Sequence, residues 1–257
     1  MFLKKNLISF FTIVNKELTR ILRIWPQTVL PSVITIVLYY IIFGDLIGKK
    51  IGELFCYSYI QYIVPGLIMM SVINSSYSNV VASFFSARFQ RNIEELLVSP
   101  TYNSVIILGY VFGGVLRATI VCFFVVCISV LFARFYFYNF YYMILVVFST
   151  SVLFSLAGLL NGIFAKKIDD ISIVPTFILT PLIYLSGIFY TINMLPSSFK
   201  YFVYLNPIFY VVNIFRYVIL GISEADFNVS FFMVIILIIF LYLFCWYLLR
   251  IGYNIKK

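Results

Sequence analysis

Histidine is absent from this 257-residue chain, which removes His-based triads, imidazole metal ligands and a histidine pH switch. Cysteine is scarce: Cys56, Cys122, Cys127 and Cys245 all fall in apolar runs with no Cys-x-x-Cys spacing. Neither a zinc site nor a disulfide framework is indicated, and the four read as small core hydrophobes. Charge is scarce as well, at 11% against roughly 25% in a soluble domain. What fills the chain instead is apolar (63%) and aromatic (20%). A mean hydropathy of +1.08 cannot be hidden inside so small a globule, because its surface would have to be apolar too. Bilayer lipid is the expected solvent.

A run of about 20 apolar residues crosses the hydrocarbon core as a helix. Six such runs are bounded by charge or turn residues: Pro26 to Gly44, Phe55 to Val81, Val105 to Ala133, Phe140 to Phe164, Ile171 to Tyr190 and Val229 to Leu249. Positive charge near span ends stays in the cytoplasm. With the N-terminus inside, the cytoplasmic side holds twelve basic residues: Lys4, Lys5, Lys16, Arg20, Arg23, Arg88, Arg91, Lys166, Lys167, Arg250, Lys256 and Lys257. The outer side holds five, Lys49, Lys50, Arg134, Lys200 and Arg216, and Arg117 lies within a span. Both termini are therefore expected inside, with Trp25 and Trp246 anchoring at the inner interface. The net charge of +9 belongs to this orientation, not to nucleic-acid binding.

Lys4 and Lys5 followed by an apolar stretch imitate a secretory signal, but Asn15, Lys16 and Glu17 stand where small cleavage-site residues would be needed. Residues 1–25 read instead as an amphipathic helix on the inner membrane face, either a lipid-surface anchor or a strut touching a cytoplasmic partner. All nine acidic residues fall outside the six runs. Proton- and ion-driven carriers keep such groups at membrane depth, so a secondary transporter or channel is the weaker reading. Arg117 is expected to face the bundle interior or a wet cavity, as a structural pair or as a substrate contact.

Catalytic motifs are missing or accidental. Ser197 and Lys200 match Ser-x-x-Lys without its companion motifs. Gly48-Lys49 lacks the first glycine of a phosphate loop, where Phe43 stands, and Lys50 replaces its Ser or Thr. No nucleophile, base and metal constellation for a membrane-embedded enzyme is present, and no ATP site is expected on this chain. The spacings Gly109 with Gly113 and Gly158 with Gly162 let helices approach closely, within the chain or across a dimer seam. Pro175 and Pro181 interrupt the fifth run.

Two connections are unlike loops. Across residues 83–100, Phe85, Phe89, Ile93, Leu96 and Leu97 share a helical face, and Arg88, Arg91, Glu94 and Glu95 fill the rest until Pro100. Arg91 and Glu95 at i,i+4 contribute only a few tenths of a kcal/mol, so this cytoplasmic helix either lodges on lipid or docks a soluble protein. Residues 191–227 are apolar, too long for a turn, and broken at Pro196 and Asn206-Pro207. Two short helices dipping into the outer leaflet fit, as a lid or as a brace.

With these residues in view, the chain resembles the ABC-2 type permeases, membrane subunits of one class of ABC exporter. The resemblance covers nearly the whole sequence. It is carried by the stretch from Arg91 to Pro100, by Phe154 to Gly162, by Asp169 to Ser172 with Val174 to Phe177, and by Gly187-x-Phe189, Leu195-Pro196, Asn206-Pro207 and Arg216. It implies an all-α polytopic membrane protein of the bacterial inner membrane, with an interfacial helix over 1–25 and a six-span domain over 26–257. It also implies a half-transporter, pairing a second permease copy with separate P-loop ATPase subunits that hold ATP and magnesium. Substrates in such families are glycan-linked lipids, polysaccharides or drugs. On the same basis Arg88, Arg91, Glu94, Glu95 and Leu96 correspond to the ATPase-coupling helix. Gly187, Phe189, Pro196, Asn206, Pro207 and Arg216 correspond to the outer re-entrant gate.

Overall fold

The computed structural model describes residues 2–93, 99, 101–133 and 138–253. Helix α1 (Phe2–Arg23) leads into α2 (Trp25–Tyr39), which loosens into a π-helical segment (Tyr40–Ile47) and a short α3 (Gly48–Ile51). An antiparallel hairpin follows, β1 (Glu53–Leu54) with β2 (Tyr57–Ser58), paired Glu53 to Ser58 and Leu54 to Tyr57. Its turn residues Phe55 and Cys56 both have positive φ, the geometry of a type I′ turn that matches strand twist. The sequence run beginning at Phe55 therefore becomes helical only at Tyr59. Then come α4 (Tyr59–Phe89), α5 (Asn103–Ala133), α6 (Phe140–Phe164), α7 (Ile168–Val174), a π-helical segment (Pro175–Leu179), α8 (Thr180–Tyr184), a 3-10 turn (Ile192–Met194), α9 (Ser197–Leu205), α10 (Pro207–Leu220) and α11 (Phe227–Ile251).

Among the described residues, four helical stretches are long and apolar enough to cross a membrane: Trp25–Gly44, Asn103–Ala133, Phe140–Phe164 and Phe227–Ile251. Helices α9 and α10, bent by 87°, qualify only as a pair. Two of the six runs read from the sequence thus differ, for different reasons. Helix α4 has 31 residues, about 46 Å of rise, but its serines and asparagines dilute its hydropathy. The fifth run is divided at Pro175 and Pro181 into pieces of seven residues or fewer. A proline cannot donate to the i−4 carbonyl, and the wider π turn absorbs the mismatch, with the Thr180 hydroxyl donating to the Pro175 carbonyl at 2.8 Å.

Helix α4 is the axis of the fold. Most of its side chains are buried, and it packs mainly on α5 and α6. Its polar positions are settled locally: Ser71 donates to the Leu67 carbonyl and Ser76 to that of Val72. Small residues let the axes close up, as they do between helices in lipid. A Cβ on Gly158 of α6 would lie 2.5 Å from the Tyr77 carbonyl oxygen of α4, so only glycine permits that approach. The main apolar core runs along α4, α5, α6 and α10, and a second cluster joins the inner ends of α4, α5, α6 and α11. "Inner" and "outer" here follow the charge asymmetry of the chain.

Candidate functional site

Arg216 and Glu224 organise the outer end. Arg216 projects from α10 and is only 1% exposed. Its guanidinium meets a Glu224 carboxylate oxygen at 3.2 Å and donates to the Gly187 carbonyl at 2.6 Å. Gly187 reaches that carbonyl geometry through a left-handed turn, φ +75°, where a side chain would be strained. The Tyr62 ring of α4 lies under the guanidinium, 4.1 Å from ring centre to carbon, a cation–π contact. The Tyr62 hydroxyl donates to Glu224 at 2.6 Å, and the Ile192 amide donates to the other carboxylate oxygen at 2.7 Å. Asn213 fixes the turn itself, accepting from the Glu224 and Ala225 amides and donating to the Ala225 carbonyl. Every oxygen of the buried carboxylate is used, as a buried ion pair requires.

The remaining outer residues attach to this hub at different distances. Phe189 stacks on Phe43 at 4.9 Å and touches Tyr39 and Tyr184, while its carbonyl accepts from the Tyr59 hydroxyl at 2.9 Å. Asn206 sits at the 87° elbow. It caps α10 by accepting from the Ile208 amide at 2.9 Å and donates at 2.6 Å to the Leu182 carbonyl, one of the carbonyls left over at the end of α8. Pro207 occupies the first turn of α10, the position a proline suits best. Pro196 precedes α9 on the exposed surface and does not enter the hub. Sequence reasoning missed Tyr62 and Glu224, since a tyrosine and a glutamate outside any motif carry no signal of meeting across 162 positions.

At the inner end, Arg88 is turned into the protein. Its guanidinium donates to the Gly162 carbonyl at 3.0 Å, to that of Ile163 at 2.6 Å, and to that of Ala165. These carbonyls lie at the end of α6, where the helix runs out of its own N–H donors and a cation is favoured. Arg91 is its opposite: exposed and in a left-handed conformation, φ +60°, it turns the chain just past the end of α4, and Ile93 two residues later is again buried in the inner apolar cluster. Glu94, Glu95 and Leu96 lie outside the described residues. The next inner turn is fixed by Asp170, whose carboxylate accepts from the amides of Lys166 and Lys167 at 2.8 and 3.0 Å. Those two bonds hold its carboxyl below the usual carboxylate range.

Helix α1 does not stand apart from the bundle. The Asn6 side-chain oxygen accepts from the Tyr102 amide, Ile13 faces Gly109, and Glu17 faces Gly113, a constant offset that sets α1 alongside α5. A Cβ on Gly113 would come within 2.8 Å of the Glu17 Cβ, so this small-residue pair serves a contact within the chain. Glu17 is 0% exposed. It pairs with Arg20 at 2.7 Å and accepts from the Ser83 hydroxyl, while Arg20 also donates to the Asn79 side-chain oxygen at 2.7 Å. The sequence places Glu17 outside the spans, and α1 brings it inward onto them. Arg117 lies one turn beyond Gly113 on the same face of α5, half-buried. It is apart from the outer hub and from the Arg88 cap.

Comparison with known proteins places this arrangement in a family. Residues 8–220 match the model of the family described as ABC-2 type transporter. The chain is 51% identical over 250 residues to the inner membrane transport permease YadH of Escherichia coli (strain K12), covering 97% of this chain and 98% of the relative. Similarity extends, at 21% identity over 202 residues and 77% of each chain, to nodulation protein J of Rhizobium meliloti (strain 1021). This chain belongs to the ABC-2 type transporter family.

Proposed function

We propose that the chain is the membrane-spanning subunit of an ATP-driven exporter in the inner membrane, assembled from two permease copies and a separate P-loop ATPase. In this reading α4 and the α7 to α8 segment complete six crossings, with both termini cytoplasmic. The twelve-to-five distribution of basic residues supports that topology. The substrate is a lipid, glycan or drug-like molecule moved outward. ATP and magnesium belong to the partner, because the Gly48-Lys49 stretch lacks the glycine and hydroxyl that a phosphate loop needs.

One observation carries the mechanism: a single buried helix touches both ends. The outer turns of α4 hold the hub through Tyr59 and Tyr62. Its inner end is locked to α6 by Arg88 and then breaks at the exposed Arg91. Pressure applied by an ATPase on the segment after Arg91 is resisted by the Arg88 lock and passed along α4 to the Arg216–Glu224 pair and the α9–α10 elbow. Residues 191–227 then act as the outer gate.

The test is the pair Glu94→Lys and Glu95→Lys, made together. Like charges replace complementary ones at a cost of up to several kcal/mol, while membrane insertion stays intact. Co-purification of the ATPase and permease-stimulated ATP hydrolysis should both fall at matched membrane abundance. Unchanged binding and stimulation would reduce this segment to a surface anchor.

A further inference from the structure

The inner cluster holds more positive charge than its own residues answer. Glu17 supplies one carboxylate, and Arg20 is already bonded to it. Arg117 has no hydrogen-bond or ion-pair partner among the described residues, and its Nε is buried. Arg117 follows one turn after Gly113, against which Glu17 packs, so one carboxylate answers two guanidiniums and one positive charge is left in excess on half-buried groups. Three donors there are buried without an acceptor: Arg20 Nε, Arg117 Nε and the Asn79 side-chain amide. Asn79 is 1% exposed, and its oxygen bond to Arg20 holds that amide beside the guanidinium. A water molecule would satisfy a donor yet leave the excess charge uncompensated, and a half-buried cation is stabilised by an anion more than one in open water.

The geometry points to an anion-binding site between α1, α4 and α5, in which Arg20, Arg117 and the Asn79 amide grip the oxyanion of a phosphate group. A guanidinium fork matches phosphate oxygens in shape as well as charge. Two sources share this chemistry, an anionic phospholipid headgroup and free inorganic phosphate. The site lies one turn beyond Gly113, beside an amphipathic helix that exposes Ile8, Phe11 and Leu22, a face suited to a lipid surface. The bound headgroup would complete the joint between α1 and the bundle. This site is separate from ATP-driven transport and does not depend on it.

The test uses the purified, delipidated full-length chain in neutral detergent, with its unfolding temperature as readout and phosphatidylglycerol, phosphatidylcholine and inorganic phosphate as probes. Phosphatidylglycerol should raise the unfolding temperature of the native chain by several degrees and saturate, and phosphatidylcholine should do so far less. Arg117→Met should lose the shift while melting no lower than the native chain without anion, since it removes an unanswered charge. Arg117→Lys should keep part of the shift. A comparable shift with inorganic phosphate upholds the oxyanion site and assigns it to the soluble anion. The inference is overturned if no probe shifts the native chain, if Arg117→Met responds as the native chain does, or if Arg117→Met melts lower without anion. Neither readout involves an ATPase, so this site and the transport reading fail separately.

Discussion

Glu224→Gln tests the outer hub most directly. Glutamine keeps the volume and an oxygen for the Ile192 amide, but removes the charge that answers Arg216. That guanidinium would remain 1% exposed, holding only the Gly187 carbonyl and the Tyr62 ring. Breaking a buried ion pair from one side costs about 3–5 kcal/mol, at the lower end here because those two contacts survive. Unfolding of a chain this size moves by about 2–4 °C per kcal/mol, so the variant should melt on the order of 10 °C lower. Arg216→Met should cost a similar amount, by stranding Glu224. The double variant removes both charges and should cost less than the sum by about 2 kcal/mol or more, the signature of coupled neighbours. The cysteines supply the assay. With exposed Cys56 and Cys127 changed to serine, buried Cys122 and Cys245 react with a fluorogenic maleimide only as the chain unfolds. A double variant whose loss equals the sum of the single losses would falsify the hub as a coupled unit.

Four further outcomes follow from single contacts. Arg88→Met should leave the Gly162, Ile163 and Ala165 carbonyls without their donor, costing about 2 kcal/mol and speeding amide exchange at the end of α6. Gly158→Ala should force α4 and α6 apart, because its Cβ would meet the Tyr77 carbonyl at 2.5 Å, and cost about 1–3 kcal/mol in the same maleimide assay. The Asp170 cap, whose carboxyl is lowered by two amide bonds, contributes fully above the ordinary carboxylate pKa and is lost as pH falls through the depressed value. Amide exchange at Lys166 and Lys167 should rise in that acid range and, in Asp170→Asn, lose that pH step. A cysteine placed at Lys257 should resist an impermeant thiol reagent added outside intact cells, and ready labelling there would reverse the proposed topology.

Run length found the long helices because lipid imposes that rule directly. The run from Phe140 to Phe164 coincides with α6, and that from Val105 to Ala133 falls two residues short of α5. The same rule works less well where a helix is surrounded by protein. Helix α4 is mostly enclosed by other helices, so nothing demands uniform hydrophobicity. It can carry Ser71, Ser75 and Ser76, whose small size and back-bonded hydroxyls suit close packing against glycine-bearing neighbours. Its dilution in apolar residues is therefore a mark of centrality. The α7 to α8 segment was legible as a proline-broken run, but its π turn was not, since widening one turn leaves no trace in periodicity.

The site was legible in proportion to how local its contacts are. Asn206 before Pro207 announces a cap and a first turn, and the structure builds that cap at 2.9 Å. Gly187 and Arg216 stood out as residues, yet their bond spans 29 positions, and Glu224 joins them from a turn that periodicity cannot orient. Arg88 shows the opposite error. On a helical wheel it shares the polar side with Arg91 and seems equally free, but a wheel contains no neighbouring helix. The end of α6 presents the carbonyls of Gly162, Ile163 and Ala165 beside Arg88, and a cation that reaches a helix C-terminus is stabilised more than one in water. Arg91 lies beyond that end and stays exposed. Two arginines three residues apart are thereby divided, one fastening α4 to the end of α6 and the other facing outward in the turn between Phe89 and the buried Ile93.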